Sequence, residues 1–131
     1  MNSTATSPLR ILLAEDDESL QHFFSRALRR AGHSVEARLR GDDAVRALHA
    51  SEFDVLVLDW RMPGLNGGEV LRAMRMAKVP TRVLVLTGNG EAGRAEAMAA
   101  GADDFLEKPC GLHELTAAVA ALAQSPTAVA A

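Results

Sequence analysis

Residues 55–71, VLVLDWRMPGLNGGEVL, decide how this chain is read. Val55-Leu56-Val57-Leu58 is an apolar run of strand length, without the polar alternation of a half-exposed strand, and it stops on a carboxylate, Asp59. Upstream, Ile11-Leu12-Leu13-Ala14 stops the same way, on the acidic cluster Glu15-Asp16-Asp17. Downstream, Val83-Leu84-Val85-Leu86 leads into Thr87, and Phe105-Leu106-Glu107 leads into Lys108-Pro109. Acid, acid, hydroxyl and amine thus arrive in chain order at four strand ends.

In an open parallel α/β sheet all strands point one way, so residues after their C-terminal ends meet in one crevice. The four ends therefore predict one site. Two strand ends that deliver carboxylates suggest a divalent cation, and Mg²⁺ takes oxygen ligands from one or two carboxylates, water and phosphate. Carboxylate, hydroxyl and ammonium around such an ion describe phosphoryl transfer.

The segments ILLAEDDESL (11–20), VLVLDWRMPGLNGGEVL (55–71), VLVLTGNG (83–90) and GADDFLEKP (101–109) together resemble the receiver domain of two-component response regulators, over about residues 9 to 123. The resemblance implies a flavodoxin-like α/β fold, a doubly wound five-stranded parallel sheet in the order 2-1-3-4-5 with five helices. It implies that Asp59 is the phosphoacceptor, supplied by a histidine kinase or histidine phosphotransfer protein. Asp16 would bind Mg²⁺, or Mn²⁺ in its place, directly; Glu15 would assist through water, and Asp59 and the Arg61 backbone carbonyl would complete the protein ligands. Thr87 and Lys108 would contact the acyl phosphate, Thr87 and Phe105 would form the switch, and Arg61 and Asn89 would set the phosphate's lifetime. Partner affinity would change through the surface of helix 4, strand 5 and helix 5, toward a downstream protein target or, as a homodimer, through the helix 4/helix 5 face. Such a protein catalyses only its own phosphorylation and dephosphorylation.

Composition agrees. The 131 residues suffice for one core without disulfides or structural metal, and a net charge of −3 offers no footprint for nucleic acid. Cys110 is the only cysteine, which fits a reducing cytosol, and no apolar run approaches the ~20 residues that span a bilayer, so a cytoplasmic protein is expected. Lys78 and Lys108 are the only lysines among twelve arginines, so a compact ammonium at the Lys-Pro position reads as chosen for its chemistry.

Periodicity predicts strands near 9–14, 35–39, 53–58, 82–86 and 104–107 and helices near 18–31, 42–50, 67–77, 92–100 and 111–123. Leu20, Phe23, Phe24, Ala27 and Leu28 form the apolar stripe of the first helix, with Gly32 as its stop, and Leu112, Leu115, Val119 and Leu122 that of the last. Residues 1–8 and 124–131 are expected to be unstructured around a receiver at 9–123. Asp17 suits a helix start, the four histidines lack metal-ligand spacing, and Cys110 suits a small buried packing residue.

Rival functions are weaker. A phosphatase of the haloacid-dehalogenase type would resemble this chain only with a second Asp two residues after the nucleophile, where Arg61 stands. A receiver-fold adaptor that works without phosphorylation would not need the acidic pair, Thr87 and Lys108 together. A receiver fragment of a larger regulator with an output domain remains a third reading. The chain departs from the family in a Thr87-to-Lys108 segment one residue short and rich in glycine, which predicts a short or mobile fourth helix. In place of dimer-forming arginines, the last helix carries Ala117, Ala118 and Ala121.

Overall fold

The computed structural model describes residues 7–124. Its elements alternate as β1 (Arg10–Ala14), α1 (Glu18–Arg30), β2 (Ser34–Arg38), α2 (Gly41–Ala50), β3 (Val55–Asp59), α3 (Gly67–Met76), β4 (Arg82–Thr87), α4 (Gly90–Ala99), β5 (Asp104–Glu107) and α5 (Leu112–Gln124). All pairings are parallel, in the order β2-β1-β3-β4-β5, the architecture the resemblance implied.

The central strands are apolar at every position because helices cover both faces. Their two-residue period sorts the side chains into two layers. Leu12, Leu56, Leu58, Val83 and Val85 pack with Ala44, Leu48, Val70, Leu71, Met74 and Ala97 of α2, α3 and α4. Ile11, Leu13, Val55, Val57, Leu84 and Leu86 pack with Phe24, Leu28, Leu115, Val119 and Leu122 of α1 and α5. At roughly 1.5–3 kcal/mol per buried aliphatic side chain, these layers carry the fold.

Helix ends follow local chemistry. Asp17 caps α1, accepting the Leu20 N–H at 3.0 Å, and Gly32 just past its end has φ +103°, a left-handed turn that glycine enters without penalty. Asn66 and Glu69 form a reciprocal capping box that starts α3 directly after the Asp59 loop. At the sheet end remote from that loop, Arg75 donates to the carbonyls of Val79, Thr81 and Gly101 and to Asp103, whose carboxylate also accepts the Val83 N–H.

Several expectations change. Phe23 is 52% exposed, since five apolar positions on α1 subtend more than the sheet and α5 can cover, while Phe24 and Leu28 take the buried centre. Leu112 is only half-buried at the rim of α5. Helix α4 is not short: it runs ten residues, as α2 and α3 do, and begins at Gly90. Of the expected unstructured ends, residues 1–6 and 125–131 lie outside the described residues. Ser7 and Pro8 are exposed and outside regular elements, and Gln124 closes α5. No helix among the described residues is long and apolar enough to cross a membrane.

His33 is buried between α1 and β2, where its Nδ1 accepts the Leu9 N–H at 3.1 Å. Burial pushes its pKa below the ordinary histidine value, and protonating Nδ1 would remove the acceptor. A base whose folded pKa is depressed binds protons more readily when unfolded, so its stabilising effect is present above the unfolded pKa and is lost as pH falls through the folded one. Wild type should therefore lose more stability than His33→Asn on acidification from neutral pH through the histidine range in urea melts. Parallel losses would show that the imidazole is not held neutral.

Candidate functional site

Sheet register assembles the site. Ala14 lies opposite Leu58 and Asp59 opposite Leu86, so Glu15, next along β1, falls beside Asp59, while Thr87, opposite Glu107, and then Lys108 follow one and two residues further along the same strand ends. The β1/β3 boundary is also where the strand order reverses, the place where open α/β sheets bind ligands. Glu15, Asp16, Asp59, Arg61, Thr87, Asn89 and Lys108, all singled out in the sequence, line one cleft of about 540 Å³ together with Asp17, Leu20, Trp60 and Gly88. Phe105, half-buried on β5, stands outside that lining.

Glu15 is fully buried and Asp59 is 5% exposed, yet both are partnered. Lys108 Nζ lies 3.3 Å from Glu15 Oε1 and 3.4 Å from Asp59 Oδ2. The other oxygens take backbone donors: Glu15 Oε2 accepts the Asp17 N–H at 3.1 Å, and Asp59 Oδ1 accepts the Arg61 N–H at 3.3 Å. Lys108 is itself set in place by its backbone N–H, which donates to the Thr87 carbonyl at 2.8 Å, ahead of a cis Lys108–Pro109 peptide. Thr87 is buried, and its Oγ1 accepts the Asn89 N–H at 3.4 Å. Trp60 lies over the start of α3, against Gly67 and Gly68.

One ammonium does not neutralise this cluster. Burial, and then the charge of Glu15, push the Asp59 carboxyl up to about 7, against the opposing pull of Lys108 and the Arg61 N–H. Burial would lower the Lys108 pKa, but Asp59 and Glu15 outweigh it and hold the ammonium above its ordinary value. Glu15, Asp16 and Asp59 present oxygens all within 4.8 Å of one another, with Asp16 exposed at the mouth. Three carboxylates and one ammonium leave a formal charge of −2, which one divalent cation cancels, and an all-oxygen donor set open to water suits Mg²⁺.

The remaining residues resolve plainly. Asp17 is the α1 cap, and the side chains of Arg61 and Asn89 are exposed at the cleft mouth. Cys110 is half-buried against the α1/α5 layer rather than buried, because it sits at the rim of the loop into α5; burial still raises its thiol pKa, which disfavours the reactive thiolate. The sequence reading paired Lys108 with the phosphoryl group but missed its bond to Glu15, for which the one available signal was a second acid at the end of β1, the strand beside that of Asp59.

The family model for the response regulator receiver domain matches residues 11–120. The transcriptional regulatory protein TcrA of Mycobacterium tuberculosis is 40% identical over 119 residues, which are 90% of this chain and 47% of TcrA. The response regulator protein PmrA of Pseudomonas aeruginosa is 43% identical over 120 residues, 91% of this chain and 54% of PmrA. The chain thus spans about half the length of the curated relatives it matches. Among solved structures, the receiver domain of sensor histidine kinase PA1611 from Pseudomonas aeruginosa aligns with a TM-score of 0.84 at 30% identity, covering 91% of this chain and 100% of that one. That structure has a magnesium ion coordinated in its active site cleft.

Proposed function

Since this chain belongs to the response regulator receiver domain family, and so to phosphorylation-dependent signalling in two-component systems, we propose that Asp59 is its phosphoacceptor in a Mg²⁺-dependent transfer from a phosphohistidine donor. The observation that carries this reading is the buried Asp59 carboxylate, held on one oxygen by the Arg61 N–H and on the other by Lys108, beside two further acids. A carboxylate fixed in this way is aimed at the cleft, and a P–O bond forms to it as the donor's P–N bond breaks. Asp16 and Asp59, with the Arg61 carbonyl, would hold the ion, and Glu15 would take part through water. Bound there, Mg²⁺ would supply positive charge to the transferring phosphoryl oxygens.

Lys108 can serve the same charge from the side of β5, and the Thr87 hydroxyl can donate to a phosphoryl oxygen after moving from its place beside Asn89. Arg61 and Asn89, at the mouth, would govern water's approach and so the lifetime of the acyl phosphate. Movement of Thr87, followed by Phe105, would alter the face formed by α4, β5 and α5 and with it the affinity for a downstream protein. That is a two-state equilibrium biased by local charge. A kinase or histidine phosphotransfer protein is the partner that family membership implies.

The test uses the wild-type chain with acetyl phosphate and with a phosphohistidine donor. A hydroxylamine-labile label should form only with Mg²⁺ present, and Trp60 fluorescence should change on adding Mg²⁺ and then beryllofluoride. Labelling by neither donor, together with no response to the mimic, would leave a receiver fold acting as an adaptor.

A further inference from the structure

Helix interiors disfavour glycine relative to alanine, so a buried glycine inside a helix needs a reason. Gly93 is such a residue, in the first turn of α4, and its φ lies outside the left-handed region, so no backbone demand accounts for it. Space does. A Cβ built on Gly93 would lie 2.9 Å from Thr87 Oγ1, 3.0 Å from Thr87 Cγ2 and 2.9 Å from Asn89 Cβ, all below van der Waals contact. Both tips of the Thr87 side chain therefore rest on the bare backbone of α4, and a long 3.4 Å hydrogen bond from the Asn89 N–H is the bond that accompanies that fit.

We propose that Gly93 is a positioning residue for the switch: its missing side chain is the niche that holds Thr87 in the resting arrangement, and filling the niche drives Thr87 toward the Asp59 cleft. This rests on the reading of Thr87 as the hydroxyl that meets the phosphoryl group. It also gives the glycine-rich Thr87-to-Lys108 segment a physical role. The glycine lets α4 seat tightly on the end of β4.

The experiment titrates Mg²⁺ and beryllofluoride into wild type, Gly93→Ala, Thr87→Ala, Thr87→Ser/Gly93→Ala and Thr87→Ala/Gly93→Ala, read by Trp60 fluorescence and by backbone amide shifts of α4. Gly93→Ala should bind the mimic about three- to tenfold more tightly, since the side chain is already displaced toward it. In its metal-free spectrum the α4 shifts should move toward those of the mimic-bound wild type. The effect should shrink in the Thr87→Ser background, which removes the Cγ2 contact, and vanish in Thr87→Ala. Unchanged mimic affinity in a folded Gly93→Ala, or the same gain in the Thr87→Ala background, would overturn the niche. Should Gly93→Ala fold poorly, partial recovery of its melting temperature by Thr87→Ala supports the contact, since the clash with Asn89 Cβ remains, and no recovery at all refutes it. A wild type that ignores the mimic would instead refute the phosphoacceptor reading itself.

Discussion

Asp59→Asn should abolish phosphoryl labelling and, without Mg²⁺, make the protein more stable than wild type. The first effect follows because an amide oxygen is a poor nucleophile and cannot hold an acyl phosphate. The second follows from the cleft's charge. Asp59 and Glu15 are both buried and share one ammonium, so one carboxylate is left under-compensated in the metal-free state. A neutral amide of the same shape removes that charge; its one oxygen can accept the Arg61 N–H, while its NH2 turns toward Lys108, which keeps Glu15 as its partner. A gain of about 1–3 kcal/mol is the scale of the desolvation cost that a buried polar or charged group carries. Adding Mg²⁺ should narrow or reverse the difference, since the cation stabilises most the chain that retains all three carboxylates. Labelling that persists undiminished would move the acceptor elsewhere, and a lower metal-free melting temperature in the variant would show that the carboxylate pair is not under-compensated.

What could be read from the chain before its structure divides along a physical line. Strand identity and direction were legible because fully apolar runs such as Val55–Leu58 and Val83–Leu86 require cover on both faces, and because each stops abruptly on a polar residue. Site membership followed from direction alone, since parallel strands bring all their ends to one edge. Side-chain partners did not follow. The sequence led to a divalent cation between Asp16 and Asp59; the structure also sets Lys108 between Glu15 and Asp59, a partnership that depends on where one flexible side chain ends. The glycines after Thr87 suggested a short or mobile helix, whereas α4 runs ten residues and Gly93 serves close packing, a contact invisible to propensity. Phe23 fails similarly: periodicity places it on the apolar side of α1 but does not know how wide a face the neighbours cover.

That position of Lys108 between two carboxylates leads to a second large effect. The ammonium and a bound divalent cation would serve the same acids, so they would compete in charge though not in place. Lys108→Met keeps the length and apolar stem of the side chain and deletes only the charge. Glu15 and Asp59 would then face each other without a counter-ion, and breaking a buried pair by removing one partner costs about 3–5 kcal/mol. The metal-free melting temperature should fall accordingly. Mg²⁺ should bind more tightly, by about tenfold, or roughly 1.4 kcal/mol, because it no longer works against a fixed positive charge beside Asp59. The variant should still accept a phosphoryl group on Asp59, more slowly, yet fail to move α4 and β5, since no cation on β5 remains to be drawn to the acyl phosphate. Lys108→Arg should separate the two roles, restoring much of the stability through its charge while its planar fork couples poorly to the switch. Isothermal titration of Mg²⁺, thermal melts with and without the ion, and mimic-induced amide shifts read these quantities independently. Weaker Mg²⁺ binding in Lys108→Met would mean that the ammonium organises the acidic cluster for the ion rather than opposing it.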